Sequence, residues 1–254
     1  MDLNCDLGES FGVWRMGDDA GVLPSVTSAN VACGFHAGDP RTMRDTVIRC
    51  RDLGVGVGAH PAFPDLVGFG RRDLAVTPDQ AYTDVLYQIG ALAAFCRALG
   101  VALQHVKPHG QLNNLAVRDR DLARAVVSAA RDFDRSLIVV AYGGALLDEA
   151  RRVGVPVAVE GYADRAYNPD GTLVARSVEG SVIHDPEEVA RRAVSIARDG
   201  GIRARDSSWL ALEVDTLCVH GDTPGAARSA EAMRRALERA GISVAPLAPG
   251  GQMG

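Results

Sequence analysis

Apolar and small residues gather into seven short runs: DLNCDLG (2–8), VTSANVACGF (26–35), VGVGAHPAF (55–63), ALQHVKPHG (102–110), SLIVVAYGG (136–144), VPVAVEGYAD (155–164) and ALEVDTLCVHGD (211–222). Most show no clean alternation of polar and apolar positions. Continuous small and β-branched residues suit strands covered on both faces, as in parallel sheets. Helical patterns fill most of the intervals. Asp39-Pro40, Thr77-Pro78, Asp185-Pro186 and Thr223-Pro224 each set an N-cap residue before a proline at the first helical position. Gln80 and Glu188 follow two of these caps at capping-box spacing. Ala81, Val85, Ile89, Leu92 and Phe95 form one stripe of a helix over 77–99, and 227–241 reads as a final amphipathic helix ended by Gly241.

Strands and helices alternate without a linker, which predicts a single α/β domain over 1–254. The turn-rich segment 163–183 reads as a loop or hairpin after the sixth strand, and the chain is expected to fray near 247–254. A closed barrel and an open doubly wound sheet both fit this order. Seven strands and no nucleotide-type glycine fingerprint favour a seven-stranded parallel β/α barrel, the eightfold plan with one unit missing.

Composition narrows the function classes. The 254 residues are 47% hydrophobic and 23% charged, as in a globular protein, and the net charge of −5 argues against nucleic acid or an anionic membrane as partner. No uninterrupted apolar run approaches the roughly 18 residues of a membrane-spanning helix. Strand-like sequence from Asp2 leaves no room for a signal peptide. Five scattered cysteines without a CxxC pair point to free thiols, hence to a cytoplasmic location. There are 26 arginines and one lysine, Lys107, which lies between His105 and His109.

The strand endings carry the candidate chemistry. The first ends in Asp6 and Glu9, the second in His36 and Asp39, the third in His60, and the fourth in Lys107 and His109. The fifth ends at Tyr142, the sixth at Glu160, Asp164 and Arg165, and the seventh at His220 and Asp222. In a parallel barrel these ends open on one face, where active sites are built. Carboxylates and imidazoles there can move protons. Lysine, unlike arginine, can lose its proton, and its compact ammonium can neutralise an oxyanion. Two residues apart on an extended strand, Lys107 and His109 would share a face. His105 reads as a core histidine, and His184 as structural. No HExxH or CxxC is present; a transition metal, if bound, would be held by Asp6, His36 and His60. P-loop and nucleophile-elbow motifs are also missing, so P-loop ATPase and classical serine hydrolase readings are disfavoured.

Six ordered stretches, DLNCDLGESFG, SANVACGFHAGDP, GAHPAFPD, HVKPHG, ADRAYNPDGTLVARS and CVHGDTPGA, resemble the LamB/YcsF family, the A component of bacterial ATP-hydrolysing 5-oxoprolinase. The likeness runs from residue 2 to about 226. It implies a seven-stranded β/α barrel of the glycoside hydrolase/deacetylase type. It also implies opening of the 5-oxoproline lactam to L-glutamate with ATP, with Mg2+, and partner subunits B and C. Two stretches depart from the family pattern: QLNN follows HVKPHG where ALYN is usual, and EGYADR replaces an EVFADR-like run. On this resemblance Asp6 or Glu9 is the expected base for the attacking water, assisted by His36 and His60. Lys107 would steady the negative oxygen or phosphate, and His109 would protonate the departing nitrogen. Arg165 would hold the substrate carboxylate, with Asn4, Asn30, Glu160, His220 and Asp222 lining the substrate site. Two other readings keep the same barrel: a metal-dependent amidase or deacetylase, and a non-catalytic cytoplasmic metabolite-binding subunit.

Overall fold

Seven parallel strands close on themselves in chain order, the last pairing with both the first and the sixth. The coordinates are a computed structural model describing residues 1–175, 177–219, 221 and 225–248. The first half of the chain runs β1 (Asp2–Leu7), α1 (Asp19–Val22), β2 (Ser28–Ala32), α2 (Pro40–Leu53), β3 (Gly56–His60), α3 (Pro78–Ala98), β4 (Leu103–Val106), α4 (Gly110–Ala116) and α5 (Arg120–Phe133). The second half runs β5 (Ile138–Ala141), α6 (Gly144–Arg152), β6 (Val157–Tyr162), α7 (Pro186–Asp199), β7 (Gly201–Arg203), β8 (Trp209–Ala211), β9 (Thr216–Val219) and α8 (Ala226–Arg239). The expected barrel therefore forms, and each of the seven apolar runs supplies one of its strands.

The helix starts follow the capping chemistry. Asp39 accepts from the backbone N–H of Arg41 and Thr42, and Thr77 with Gln80 forms a complete capping box. Asp185 caps α7 through Glu187 N, but Glu188 does not close a box; its carboxylate turns to Arg191 one turn on. Thr223 and Pro224 lie outside the described residues. Two hairpins decorate the second half. Arg165 pairs with Val182 and Tyr167 with Leu173, both antiparallel, after β6. The β7–β8 ribbon after α7 has no counterpart in the sequence expectations. Among the described residues, no helix is long and apolar enough to cross a membrane. All five cysteines are buried free thiols.

The two faces of the barrel wall differ. On β1, Leu3, Cys5 and Leu7 belong to the main apolar core with helix residues such as Val47, Ile89 and Met233. The alternate residues Asp2, Asn4 and Asp6 meet polar groups of neighbouring strands. Asp2 accepts hydroxyl hydrogens from Thr27 (2.6 Å), Ser28 (2.7 Å) and Thr216 (2.5 Å). One layer up, Asn4 Nδ2 donates to Thr216 Oγ1 at 2.7 Å, and Asn30 Nδ2 donates to Asn4 Oδ1 at 2.8 Å. His105 Nε2 stands 2.7 Å from Asn30 Oδ1. A register slip between Val57 and Gly58 admits one extra residue, Gln104, into β4. Gly58 opposite is obligatory, because a Cβ there would lie 2.1 Å from the His105 ring. A small separate cluster of Ile138, Val140 and Ala158 packs against Leu247, whose carbonyl accepts from Gln104 Nε2 at 2.6 Å.

Candidate active site

Three local features aim side chains at the carboxyl end of this polar column. After β4 the ladder to β3 continues past the strand proper: Lys107 N donates to Ala59 O (2.9 Å) and His109 N to Pro61 O (2.8 Å). Pro108, which has no N–H, occupies the position whose amide this pattern does not use. Lys107 and His109 thus face the same way. Gln88 of α3 clamps the end of β3, accepting from Ala62 N and donating to Ala62 O, both at 2.9 Å. The loop after β3 then folds back over the histidines. Buried Asp65 gathers Gly68 N (2.8 Å) and Arg72 Nε (2.9 Å), and its carbonyl accepts from Gly70 N (2.9 Å). Phe69 takes a left-handed conformation, with φ of 55°. Gly70 beneath it leaves no space for a side chain, since a Cβ would sit 2.9 Å from the His109 ring and 3.0 Å from His36 Cβ.

The groups meet in a continuous chain. Lys107 Nζ lies 2.9 Å from Asp6 Oδ1, 2.8 Å from Glu160 Oε1, 3.3 Å from Asn4 Oδ1 and 3.3 Å from Cys218 Sγ. Asp6 Oδ1 also accepts from Asn30 Nδ2 at 2.8 Å, while Asp6 Oδ2 lies 3.4 Å from His60 Nε2. His60 Nε2 is 2.9 Å from His109 Nδ1. Glu9 Oε1 is 3.8 Å from His109 Nδ1 and 3.3 Å from His36 Nε2. The His36 and His109 rings stack at 3.9 Å, and the Phe69 ring meets both edge-on. Tyr162 donates its hydroxyl to Glu160.

Burial and charge fix the protonation states. Burial works against the Lys107 ammonium, but the neighbouring Asp6 and Glu160 carboxylates outweigh it and raise its pKa well above that of ordinary lysine. Lys107 is therefore a fixed cation here. Burial, then the neighbouring His109 and His60, push His36 well below the usual imidazole range; burial with His60 brings His109 to about 3. Both rings are neutral at neutral pH. Burial raises the Cys218 and Tyr162 pKa values, so both keep their protons beside Lys107. The cluster is nearly closed to solvent. His36 and His60 are each 1% exposed, and the Asp6 side chain, at 15%, is the most open group of the chain of contacts.

Asp6, Glu9, His36, His60, Lys107, His109 and Glu160 thus come together. Asn4 and Asn30 lie beneath them, fully buried, and touch Lys107 and Asp6. Arg165 lies in the hairpin after β6, where its guanidinium donates to Val174 O (2.7 Å) and Ser181 O (3.2 Å). Asp164 is buried nearby, and Tyr142 meets the Tyr162 ring at 6.5 Å. His220 and Asp222 lie outside the described residues. Sequence reasoning missed Phe69, Gly70 and Arg71. Phe69 acts through its backbone carbonyl, which accepts from His109 Nε2 at 2.9 Å, and a carbonyl leaves no mark in a residue pattern. Arg71 is exposed, with its guanidinium 4.9 Å over the Phe69 ring.

Comparison with known proteins bears on the family and the fold. The family model described as LamB/YcsF family matches residues 1–251. The chain is 56% identical to the A component of 5-oxoprolinase from Pyrococcus furiosus over 97% of both proteins. It is 53% identical to that of Symbiobacterium thermophilum over 98% of this chain and 95% of the relative. A solved lactam utilization protein from Thermus thermophilus superposes with a TM-score of 0.93 at 49% identity, covering 97% of this chain and 99% of that one. A putative cellobiose-phosphate cleavage protein from Enterococcus faecalis shares the fold alone, at a TM-score of 0.55 and 13% identity over 96% of each chain.

Proposed function

The chain belongs to the LamB/YcsF family, and on that premise we propose that it is the A component of an ATP-dependent 5-oxoprolinase, a hydrolase that opens the lactam of 5-oxo-L-proline to L-glutamate. The names carried by its near-full-length relatives support the substrate. The observation that carries the assignment to this site is the placement of Asp6 between Lys107 Nζ and His60 Nε2.

A five-membered lactam is a stable amide. Opening it needs an activated carbonyl, a base for water and an acid for the departing nitrogen. ATP supplies the activation by phosphorylating the amide oxygen; one water then adds to the ring carbon, the C–N bond breaks, and hydrolysis of the phosphorylated product releases phosphate. Lys107 holds the Asp6 carboxylate ionised and presents positive charge to the developing oxyanion. Asp6 takes the proton of the attacking water and returns it to the departing nitrogen; His60 and His109, each with its ring hydrogen committed to a backbone carbonyl, have none to give, so the expected proton donation by His109 is not retained. Glu9, oriented by His36, completes the acid–base set. Glu160 and Tyr162 fix the far side of Lys107, and Asn4 and Asn30 hold the pair from below. Arg165 is committed to its hairpin, so we assign the substrate carboxylate to Arg71 at the mouth.

Subunits B and C are proposed as partners that bring the nucleotide, with its Mg2+. Val13 (87% exposed), Trp14 (70%) and Val67 (91%) stand on the two loops bordering the same rim, an apolar surface that suits such a partner. The test is glutamate release from 5-oxoproline. Release is expected only when ATP and both partner subunits are present. Release by this chain alone, or no release in the full mixture, contradicts the proposal.

A further inference from the structure

We propose that Glu9, His60 and His109, closed on one side by Asp6, form a binding site for one divalent transition-metal ion. The inference stands on the geometry of the imidazoles and holds whatever the substrate is. His60 Nδ1 lies 2.6 Å from Lys107 O, and His109 Nε2 lies 2.9 Å from Phe69 O. A carbonyl oxygen only accepts, so each of these nitrogens carries the ring hydrogen. The inner nitrogens, His60 Nε2 and His109 Nδ1, are then both lone-pair acceptors, and they face each other at 2.9 Å. Two acceptors at that distance repel unless a cation serves both.

The surroundings suit a metal ion. The two rings are nearly perpendicular (83°), so their lone pairs can converge on a point off the line between them. Bonds of about 2.0–2.1 Å from each nitrogen reach across a separation of this size. Glu9 Oε1, 3.8 Å from His109 Nδ1, supplies an anionic ligand, and Asp6 Oδ2, 3.4 Å from His60 Nε2, a second. The ligand atoms of Glu9, His36, His60 and His109 all lie within 4.8 Å of one another. Two imidazole nitrogens with carboxylates form a donor set for Zn2+, Co2+, Fe2+ or Mn2+. Backbone carbonyls that anchor the outer ring N–H groups are the usual support of metal-binding histidines.

His36 has a different part. Its ring is parallel to His109 within 5° at 3.9 Å. In-plane lone pairs from two stacked rings cannot meet on one ion at such bond lengths. His36 Nε2 instead donates to Glu9, and its buried Nδ1 has no hydrogen-bond partner among the described residues. It is a positioning residue for Glu9. The set therefore differs from the Asp6, His36 and His60 combination suggested by the strand endings.

The experiment is a Co2+ titration of chelator-treated chain, read by visible d–d absorption, followed by displacement with Zn2+. Activity is not read, so failure here is separate from failure of the lactam assignment. One Co2+ per chain, released by Zn2+, is expected. His109→Gln and Glu9→Gln should each abolish the saturable spectrum, with folding checked by circular dichroism. His36→Phe, which keeps the ring stack, should retain the spectrum with roughly 10–100-fold weaker binding. No saturable absorption in the wild-type chain overturns the site, as does unchanged binding in folded His109→Gln. Should the variants fail to fold, the wild-type titration alone decides.

Discussion

Leu3, Cys5 and Leu7 face the helical shell, whereas Asp2, Asn4 and Asp6, alternating with them on the same strand, face polar neighbours inside the barrel. The outer face needs only apolar volume, and burial there stabilises the fold by roughly 25 cal/mol for each Å² removed from water. The inner face has no such latitude. Each buried donor or acceptor there needs a partner, because leaving one unmade costs about 1–3 kcal/mol. The inner column begins at Asp2 with its three hydroxyls, passes through Asn4, Asn30 and His105, and ends at Lys107. Stability and chemistry are thus separated across the thickness of one strand.

That separation can be broken from either side. The largest effect is expected from the inside. Lys107→Met strands the buried Glu160 carboxylate and the partly exposed one of Asp6, and loss of one partner of a buried pair typically costs about 3–5 kcal/mol. Urea unfolding should show that drop together with loss of glutamate release; an unchanged midpoint would mean the column is not held by its cation. An outer truncation should act otherwise. Leu92→Ala, fully buried in α3, is expected to cost about 2–5 kcal/mol in the same unfolding experiment. Its turnover per folded molecule should stay near that of wild type, and a large loss would show that shell and column are coupled.

A graded effect concerns pH. Burial lowers His105 to about 3 from an ordinary 6.5. Below pH 6.5 the unfolded chain binds a proton that the folded ring refuses. This contribution is therefore complete above pH 6.5 and is lost as pH falls toward 3, by at most about 1.4 kcal/mol per pH unit for this single ring. His105→Gln should flatten the acid limb of stability by up to that slope. An identical limb in the variant would mean that His105 does not carry the effect.

The strands and most helix starts were legible because their signals are local. Aspartate or threonine before proline marks a helix N-terminus whatever the tertiary context, as Asp39 and Thr77 do. The gathering of Asp6, His36, His60 and Lys107 was legible because a parallel barrel brings all strand ends to one rim. The character of the barrel interior was less so. Most runs read as strands covered on both faces without clean alternation, yet DLNCDL alternates strictly, and its polar positions are the inner ones. Contacts made by backbone atoms were invisible: the Phe69 and Lys107 carbonyls set the tautomers of His109 and His60, and only coordinates reveal them. Arg165 was assigned by its charge, but the hairpin turns that charge onto Val174 and Ser181 carbonyls.

The central claim is that the rim where these groups meet performs the lactam opening. Asp6→Asn tests it most directly, because the amide preserves shape while removing the charge between Lys107 and His60. In the assembled, ATP-supplied enzyme, glutamate release is expected to fall by about 100-fold or more, the usual scale for a lost general base, with the unfolding midpoint showing the protein still folded. Turnover by Asp6→Asn equal to wild type would contradict the claim.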